Sequence, residues 1–162
     1  MKSPYRIGHG FDVHRLKRGR KLVLGGVVVP HTTGAVGHSD ADVVLHALIN
    51  AVLGALGKGD IGTHFPDTDP QYKGISSEVL LKRVLAIMGR AGYGIVNGDV
   101  TVLAERPRLS PYFAEIRARV ARLMKISPQS LNLKAATTEK LGWIGKGQGI
   151  AAAAVVLLAK KA

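Results

Sequence analysis

The segment Gly8-His9-Gly10-Phe11-Asp12-Val13-His14 restricts the fold more than any other stretch of the chain. Glycine on either side of His9 lets the backbone run close to another element, because neither has a Cβ. Asp12 and His14 are two residues apart, and in an extended strand residues i and i+2 point to the same face. A carboxylate and an imidazole projecting together supply two ligands for zinc or a similar divalent ion. The alternative is a strand whose polar residues merely face solvent. The stretch from Gly37 to His46 strengthens the first reading. From there on, apolar residues recur at Ala41, Val44, Leu45, Leu48, Ile49, Val52 and Leu53, the spacing of a helix with one buried face. Ser39 or Asp40 suits its N-cap. On that helix Asp42, His46 and Asn50 fall in an i, i+4, i+8 polar stripe. A helix turning His46 toward the strand makes three mixed N and O ligands, the count of a catalytic zinc with a fourth position open. Asp42 is then placed to orient the His46 ring from behind. The competing reading leaves His46 on the polar edge of an amphipathic helix.

With 162 residues, 46% of them hydrophobic and 21% charged, the chain suits one domain, residues 1–162, with a sizeable core. Cysteine is absent, which excludes a disulfide framework and thiolate metal sites and fits a reducing compartment. A strand pattern begins almost at Met1, leaving no room for a targeting segment, and the longest apolar run, Ile150 to Ala159, is too short to cross a bilayer. A cytoplasmic protein without membrane partners is expected. The net charge of +12 attracts polyanions. The basic residues are scattered, however, with one cluster at Arg15 to Lys21, and aromatics make up only 5% of the chain. A base-stacking platform is therefore not expected, and small phosphorylated ligands fit the charge better than nucleic acid.

In chain order, Lys21 to Val29 reads as β-structure around a Gly25-Gly26 turn or bulge, expected to form a hairpin with the first strand. Thr32 to Gly37 reads as a loop. After the first helix, Gly57 to Pro70 is rich in Gly, Pro and Asp and is expected to be irregular and functional. Asp60, Asp67 and Asp69 suit contacts to a polyol or a metal; for Asp67 and Asp69, Asx-type turns are an equal alternative. Ser76 or Ser77 caps a second helix with Val84, Leu85 and Met88 inward and Gly92 at its end. Ile95 to Ala104 reads as a strand. Ser110 and Pro111 suit the N-cap and first turn of a third helix with Phe113, Ile116, Val120 and Leu123 along its stripe. Leu131 to Ala135 is a further strand. Ala136 to Gly149 combines hydroxyls, Glu139, two lysines and four glycines, a composition suited to holding phosphate and a second cation. Ile150 to Leu158 is ambiguous, its alanines favouring a helix and Val155-Val156 a strand. The order implies an α+β fold, a mixed sheet covered by helices on one face plus a small hairpin.

Four motifs, G-H-G-F-D-V-H, G-H-S-D-A-D-V-x-x-H-A-L, G-D-I-G-x-x-F-P-D-T-D-P and T-T-E-K-L-G, occur here in the order they have in the 2-C-methyl-D-erythritol 2,4-cyclodiphosphate synthase family. The chain resembles that family over nearly its whole length. The resemblance implies cyclisation of 4-diphosphocytidyl-2-C-methyl-D-erythritol 2-phosphate with release of CMP, in the non-mevalonate route to isoprenoid precursors. It places zinc, or another divalent transition metal, on Asp12, His14 and His46, and a magnesium or manganese ion bound with the substrate diphosphate on Glu139. His38, Ser39, Asp60, Ile61, Gly62, Phe65, Asp67 and Asp69 correspond to the phosphate and erythritol side, with Asp12 and His14 also near substrate. Ala104, Pro107, Arg108 and Leu109 correspond to the cytidine loop, followed by Ala135, Thr137, Thr138 and Glu139 nearer the phosphates, and by Trp143 and Lys146. His38 and Thr138 fall at the catalytic positions. The family is a homotrimer with active sites shared between neighbouring subunits.

Two positions depart from the pattern. The family's G-R-G-E-G is Gly145-Lys146-Gly147-Gln148-Gly149 here, and lysine keeps the charge but loses the planar fork of arginine. In the family that arginine–carboxylate pair lines a central channel reported to hold isoprenoid diphosphates, so the change bears on the channel and leaves the active site alone. Ala136 replaces a common threonine. Two other functions compete with the synthase: a metal-dependent phosphohydrolase using water at the same Asp-His-His site, and a basic nucleotide- or nucleic-acid-binding protein without catalysis. Neither accounts for the four motifs together.

Overall fold

The structure, a computed structural model, describes residues 3–161. Strand β1 (Tyr5–Arg18) is long and carries glycines at Gly8 and Gly10 on the side that helix α1 (Val43–Leu56) covers. A Cβ on Gly8 would lie 1.8 Å from the Ala51 carbonyl oxygen, and one on Gly10 would lie 2.0 Å from that of Ala47. Only hydrogen fits between strand and helix, so α1 rests directly on the backbone of β1. The neighbouring strand β7 (Gly149–Lys160) continues this bed with small residues: Ala154 pairs with Gly10 and Ala152 with Asp12, and both are buried. The alanines of 151–154 thus belong to a central strand under a close-packed helix, which resolves the ambiguity of that segment.

Five strands form one mixed sheet in the order β4-β1-β7-β5-β6. Here β4 is Thr33–Val36, β5 is Tyr93–Leu103 and β6 is Leu131–Ala136. All pairings are antiparallel except β5 with β6, which are joined through α4 (Phe113–Met124). Together α1, α3 (Ser77–Arg90) and α4 cover one face around a continuous apolar core. The opposite face is uncovered, and its β1 and β7 residues include exposed Tyr5, Ile7, Phe11, Val13 and Val155. Among the described residues no helix is long and apolar enough to cross a membrane.

Several local expectations need correction. Residues 21–29 do not pair with β1: Leu22–Leu24 (β2) and Val27–Val29 (β3) pair with each other across the Gly25-Gly26 turn. Thr33–Val36, expected as a loop, is the edge strand β4 and takes the partner role on β1. Within the Gly57–Pro70 stretch a short helix, α2 (Ile61–His64), is capped by Asp60. Ser110 does not cap α4; it lies in a 3₁₀ turn, and its hydroxyl accepts from Arg108 Nε at 3.0 Å. Ser76 does cap α3, accepting from Glu78 N–H. The loop from Ala136 to Gly149 contains one helical turn, α5 (Gly142–Gly145).

Candidate active site

Strand periodicity puts Asp12 and His14 on the helix side of β1, and the close strand–helix contact lowers His46 onto them. Asp12 Oδ2 lies 3.0 Å from His14 Nε2 and 3.0 Å from His46 Nδ1, while the two ring nitrogens are 3.2 Å apart. A tetrahedral metal with bonds of ~2.0–2.1 Å requires ligand atoms about 3.3 Å from each other. The three atoms therefore fit one side of such a tetrahedron and leave its fourth corner open. Among the described residues this is the one cluster of three such groups able to hold a metal ion. Burial alone would raise the Asp12 carboxyl, but hydrogen bonds and positive charge from His14 and His46 outweigh it and bring the group down from 3.8 to about 2.

Asp42 does not orient His46. It is the N-cap of α1, and its carboxylate accepts from the N–H groups of Val44 and Leu45 at 3.1 Å each. It also accepts from Gly25 N–H at 2.9 Å and Gly26 N–H at 2.7 Å, tying the β2–β3 turn to the helix start. Neither Ser39 nor Asp40 is the cap. Burial pushes Asp42 from 3.8 up to about 6 against the pull of these four donors. The groups that do reach the back of the His46 ring are Ser77 Oγ at 2.8 Å and Ser39 Oγ at 3.1 Å from Nε2. In the sequence Ser77 reads only as an alternative helix cap, because its contact with His46 spans 31 residues and leaves no local signal.

A cavity of about 590 Å³ opens over the triad, with His38, Ser39, Ile61, Gly62, Phe65 and Asp67 in its wall. His38 Nε2–H donates to the Asp69 carbonyl at 3.2 Å. The equal alternatives for Asp67 and Asp69 separate here. Asp67 faces the cavity, whereas the Asp69 carboxylate caps a 3₁₀ turn and accepts from Gln71 N–H. Asp60 is outside the cavity wall and exposed, its Oδ1 accepting from Thr63 N–H and Oγ1, each at 2.8 Å; the backbone N–H bond holds its carboxyl below the usual range. A larger cavity of about 910 Å³ between α3 and α4 has no such ligand cluster in its wall.

The remaining sequence-predicted residues gather elsewhere. Ala104, Pro107, Arg108 and Leu109 follow β5, and Ala135, Thr137, Thr138 and Glu139 end β6 and begin its loop. Glu105 joins the two segments, its carboxylate accepting from Thr138 N–H at 2.9 Å and Lys140 N–H at 3.2 Å. Glu139 is exposed, in the left-handed region at φ +52°, and accepts from Thr137 Oγ1 at 3.2 Å. Trp143 stacks over Gly149, and Lys146 is exposed at the end of α5. Asp12, Ala152, Val102 and Ala135 are in register across β1, β7, β5 and β6. At ~4.8 Å per strand, the backbones of Asp12 and Ala135 are about 14 Å apart. Within one chain the two groups share an end of the sheet and do not meet.

Known proteins match this arrangement closely. A family model described as the YgbB family matches residues 5–159. The 2-C-methyl-D-erythritol 2,4-cyclodiphosphate synthases of Geobacillus kaustophilus and Geobacter metallireducens are each 56% identical over 156 residues, 96% of this chain and 99% of theirs. A solved cyclodiphosphate synthase in a CDP-bound form superposes with a TM-score of 0.88 at 39% identity, covering 94% of this chain and 99% of its own. The bifunctional IspDF of Campylobacter jejuni gives a TM-score of 0.93 at 39% identity over 96% of this chain, which spans 42% of that longer protein. With the Asp-His-His cluster in place and this likeness along nearly all of both chains, the protein belongs to the YgbB family.

Proposed function

We propose that this protein is a 2-C-methyl-D-erythritol 2,4-cyclodiphosphate synthase, acting as a single domain in isoprenoid precursor synthesis. The observation that carries the reading is the convergent Asp12-His14-His46 cluster under an open cavity, in a chain 56% identical to such synthases. In the reaction, an oxygen of the 2-phosphate attacks the β-phosphorus of the diphosphate. A new P–O bond closes the ring, and the bond from the β-phosphorus to the bridging oxygen breaks, releasing CMP with that electron pair.

Asp12, His14 and His46 would hold the zinc-like ion, and Glu139 a magnesium or manganese ion with the substrate diphosphate. Bound cations neutralise the two mutually repelling phosphates and polarise the phosphorus–oxygen bonds. The side chains supply position. His38 and Ser39 stand in the cavity wall on the phosphate side, and Thr138 stands on the opposite loop, its backbone N–H tied to Glu105. Ile61 and Phe65 exclude water, which favours cyclisation over hydrolysis. Lys146 adds positive charge, Trp143 an aromatic wall, and Ala104, Pro107, Arg108 and Leu109 the cytidine subsite.

The same geometry supports a shared-site homotrimer. The uncovered sheet face is too apolar for a solvated surface, and copies of this chain packed through it would bury Ile7, Phe11 and Val13. One subunit would then bring its 104–109 and 137–139 loops to its neighbour's triad, closing a gap that a single chain leaves open. CDP-bound relatives, including the Plasmodium falciparum IspF complex at 32% identity, support a cytidine diphosphate-linked small-molecule substrate. Neither nucleic acid nor membrane is a proposed partner, and the cytoplasm is the proposed compartment. Phosphorus NMR of the protein with the diphosphocytidyl substrate, zinc and magnesium tests the activity. Cyclic diphosphate with CMP is expected from the wild type and is lost in His46→Ala; linear phosphates instead would establish a hydrolase.

A further inference from the structure

Behind His46, on the side away from Asp12 and His14, stand Ser77 and Asp40. Ser77 is fully buried, and its Oγ lies 2.8 Å from His46 Nε2. The same hydroxyl is hydrogen-bonded to Asp40 Oδ1, and Asp40 Oδ2 accepts the Ser77 backbone N–H at 3.0 Å. The direction of each bond follows from counting protons. A hydroxyl has one proton, and a carboxylate at neutral pH only accepts. The Ser77 proton therefore goes to Asp40, and the oxygen lone pairs face His46. Ser39 Oγ, which already accepts from Ala41 N–H at 3.2 Å, adds a second oxygen on that side. His46 therefore meets a fixed acceptor at Nε2, which keeps a proton there, and Nδ1, 3.0 Å from Asp12 Oδ2, is the nitrogen that faces the triad.

We propose that Ser77, oriented by Asp40, is the positioning residue that makes His46 present Nδ1 to a divalent cation. This rests on the reading of the triad as a metal site. The order carboxylate, hydroxyl, imidazole has a direction that a packing role would lack. In Asp40→Asn an amide N–H can face the hydroxyl, which frees the Ser77 proton to point at His46 and favours the wrong nitrogen.

The test is zinc binding to the full chain, measured by competition with a chromogenic chelator, together with nitrogen-15 spectra of the zinc-loaded imidazoles and a thermal melt of each variant. Ser77→Ala is expected to weaken zinc by about 10–100-fold, and Asp40→Asn by at least as much. The His46 Nε2–H signal should be protected from exchange in the wild type and unprotected in Ser77→Ala. A merely structural role would lower the melting temperature while leaving zinc affinity and the ring spectrum of the folded protein unchanged, and that result overturns the proposal. Should Ser77→Ala fail to fold, Asp40→Asn carries the same comparison. Wild-type protein that binds no zinc would remove the metal reading and this proposal together; wild-type binding matched by both variants would remove this proposal alone.

Discussion

Asp12, His14 and His46 bring ligand atoms within 3.2 Å of one another beneath a buried helix, whereas Thr137, Thr138 and Glu139 lie on the loop after β6, where the Ala135 backbone is about 14 Å from that of Asp12 across the sheet. The first group is fixed by backbone contact between β1 and α1 and by hydroxyls packed behind a ring. The second is held by Glu105 and by the turn itself, with Glu139 and Lys140 both at positive φ. The first group is thus complete within a single fold, and the second lies on an exposed loop. The difference teaches where each kind of damage should appear: metal affinity and stability on one side, substrate turnover on the other.

The largest separation is expected between two active-site variants. His46→Ala should lower turnover by about 10³-fold or more and abolish tight zinc binding, since a catalytic metal is worth several kcal/mol. Glu139→Gln should also cost turnover, by roughly 10²-fold, yet leave zinc affinity at the wild-type level, because its carboxylate is not among the triad's ligand atoms. Loss of zinc in Glu139→Gln would break the division.

Backbone substitutions should separate the halves by stability. Gly10→Ala places a methyl against the Ala47 carbonyl, with no flexible side chain to yield, and should cost about 3 kcal/mol or more. Gly147→Ala in the loop meets only its own positive φ of 68°, with nothing within 4 Å, and should cost about 1 kcal/mol. Chemical denaturation of both variants measures the contrast.

A smaller effect concerns the cap that anchors α1. The folded Asp42 carboxyl sits at about 6 against 3.8 when unfolded, so between these values the folded state binds more protons. Stability from this group is present below about pH 4 and is lost as pH rises through about 6. A shift of roughly two units corresponds to at most about 3 kcal/mol. Wild-type protein should gain on Asp42→Asn by about 2–3 kcal/mol as pH falls from 7 to 4; a constant difference across that range would contradict the buried-cap reading.

The triad was legible because two local periodicities, two for the strand and 3.6 for the helix, aim Asp12, His14 and His46 without long-range information. The paired glycines told of a close approach, and α1 fills it. The same helical period misled at Asp42, which is four residues before His46 yet caps the helix and turns toward Gly25 and Gly26. Ser77 escaped notice because its partner is remote in sequence. The β2–β3 pairing was lost to a rival partner for β1, and β4 is only four residues long, too short to show alternation. Alanines at 151–154 look helical by propensity, and packing under α1 overrides that preference.

Whether the two halves meet between subunits is tested most directly by complementation. His46→Ala and Glu139→Gln proteins, each strongly impaired alone, are dissociated, mixed in equal amounts and reassembled, and cyclic diphosphate formation is followed by phosphorus NMR. If each site takes its triad from one chain and its loop from the next, random mixing restores about one quarter of wild-type turnover. No recovery from a reassembled mixture would contradict the shared site and place both halves in one chain.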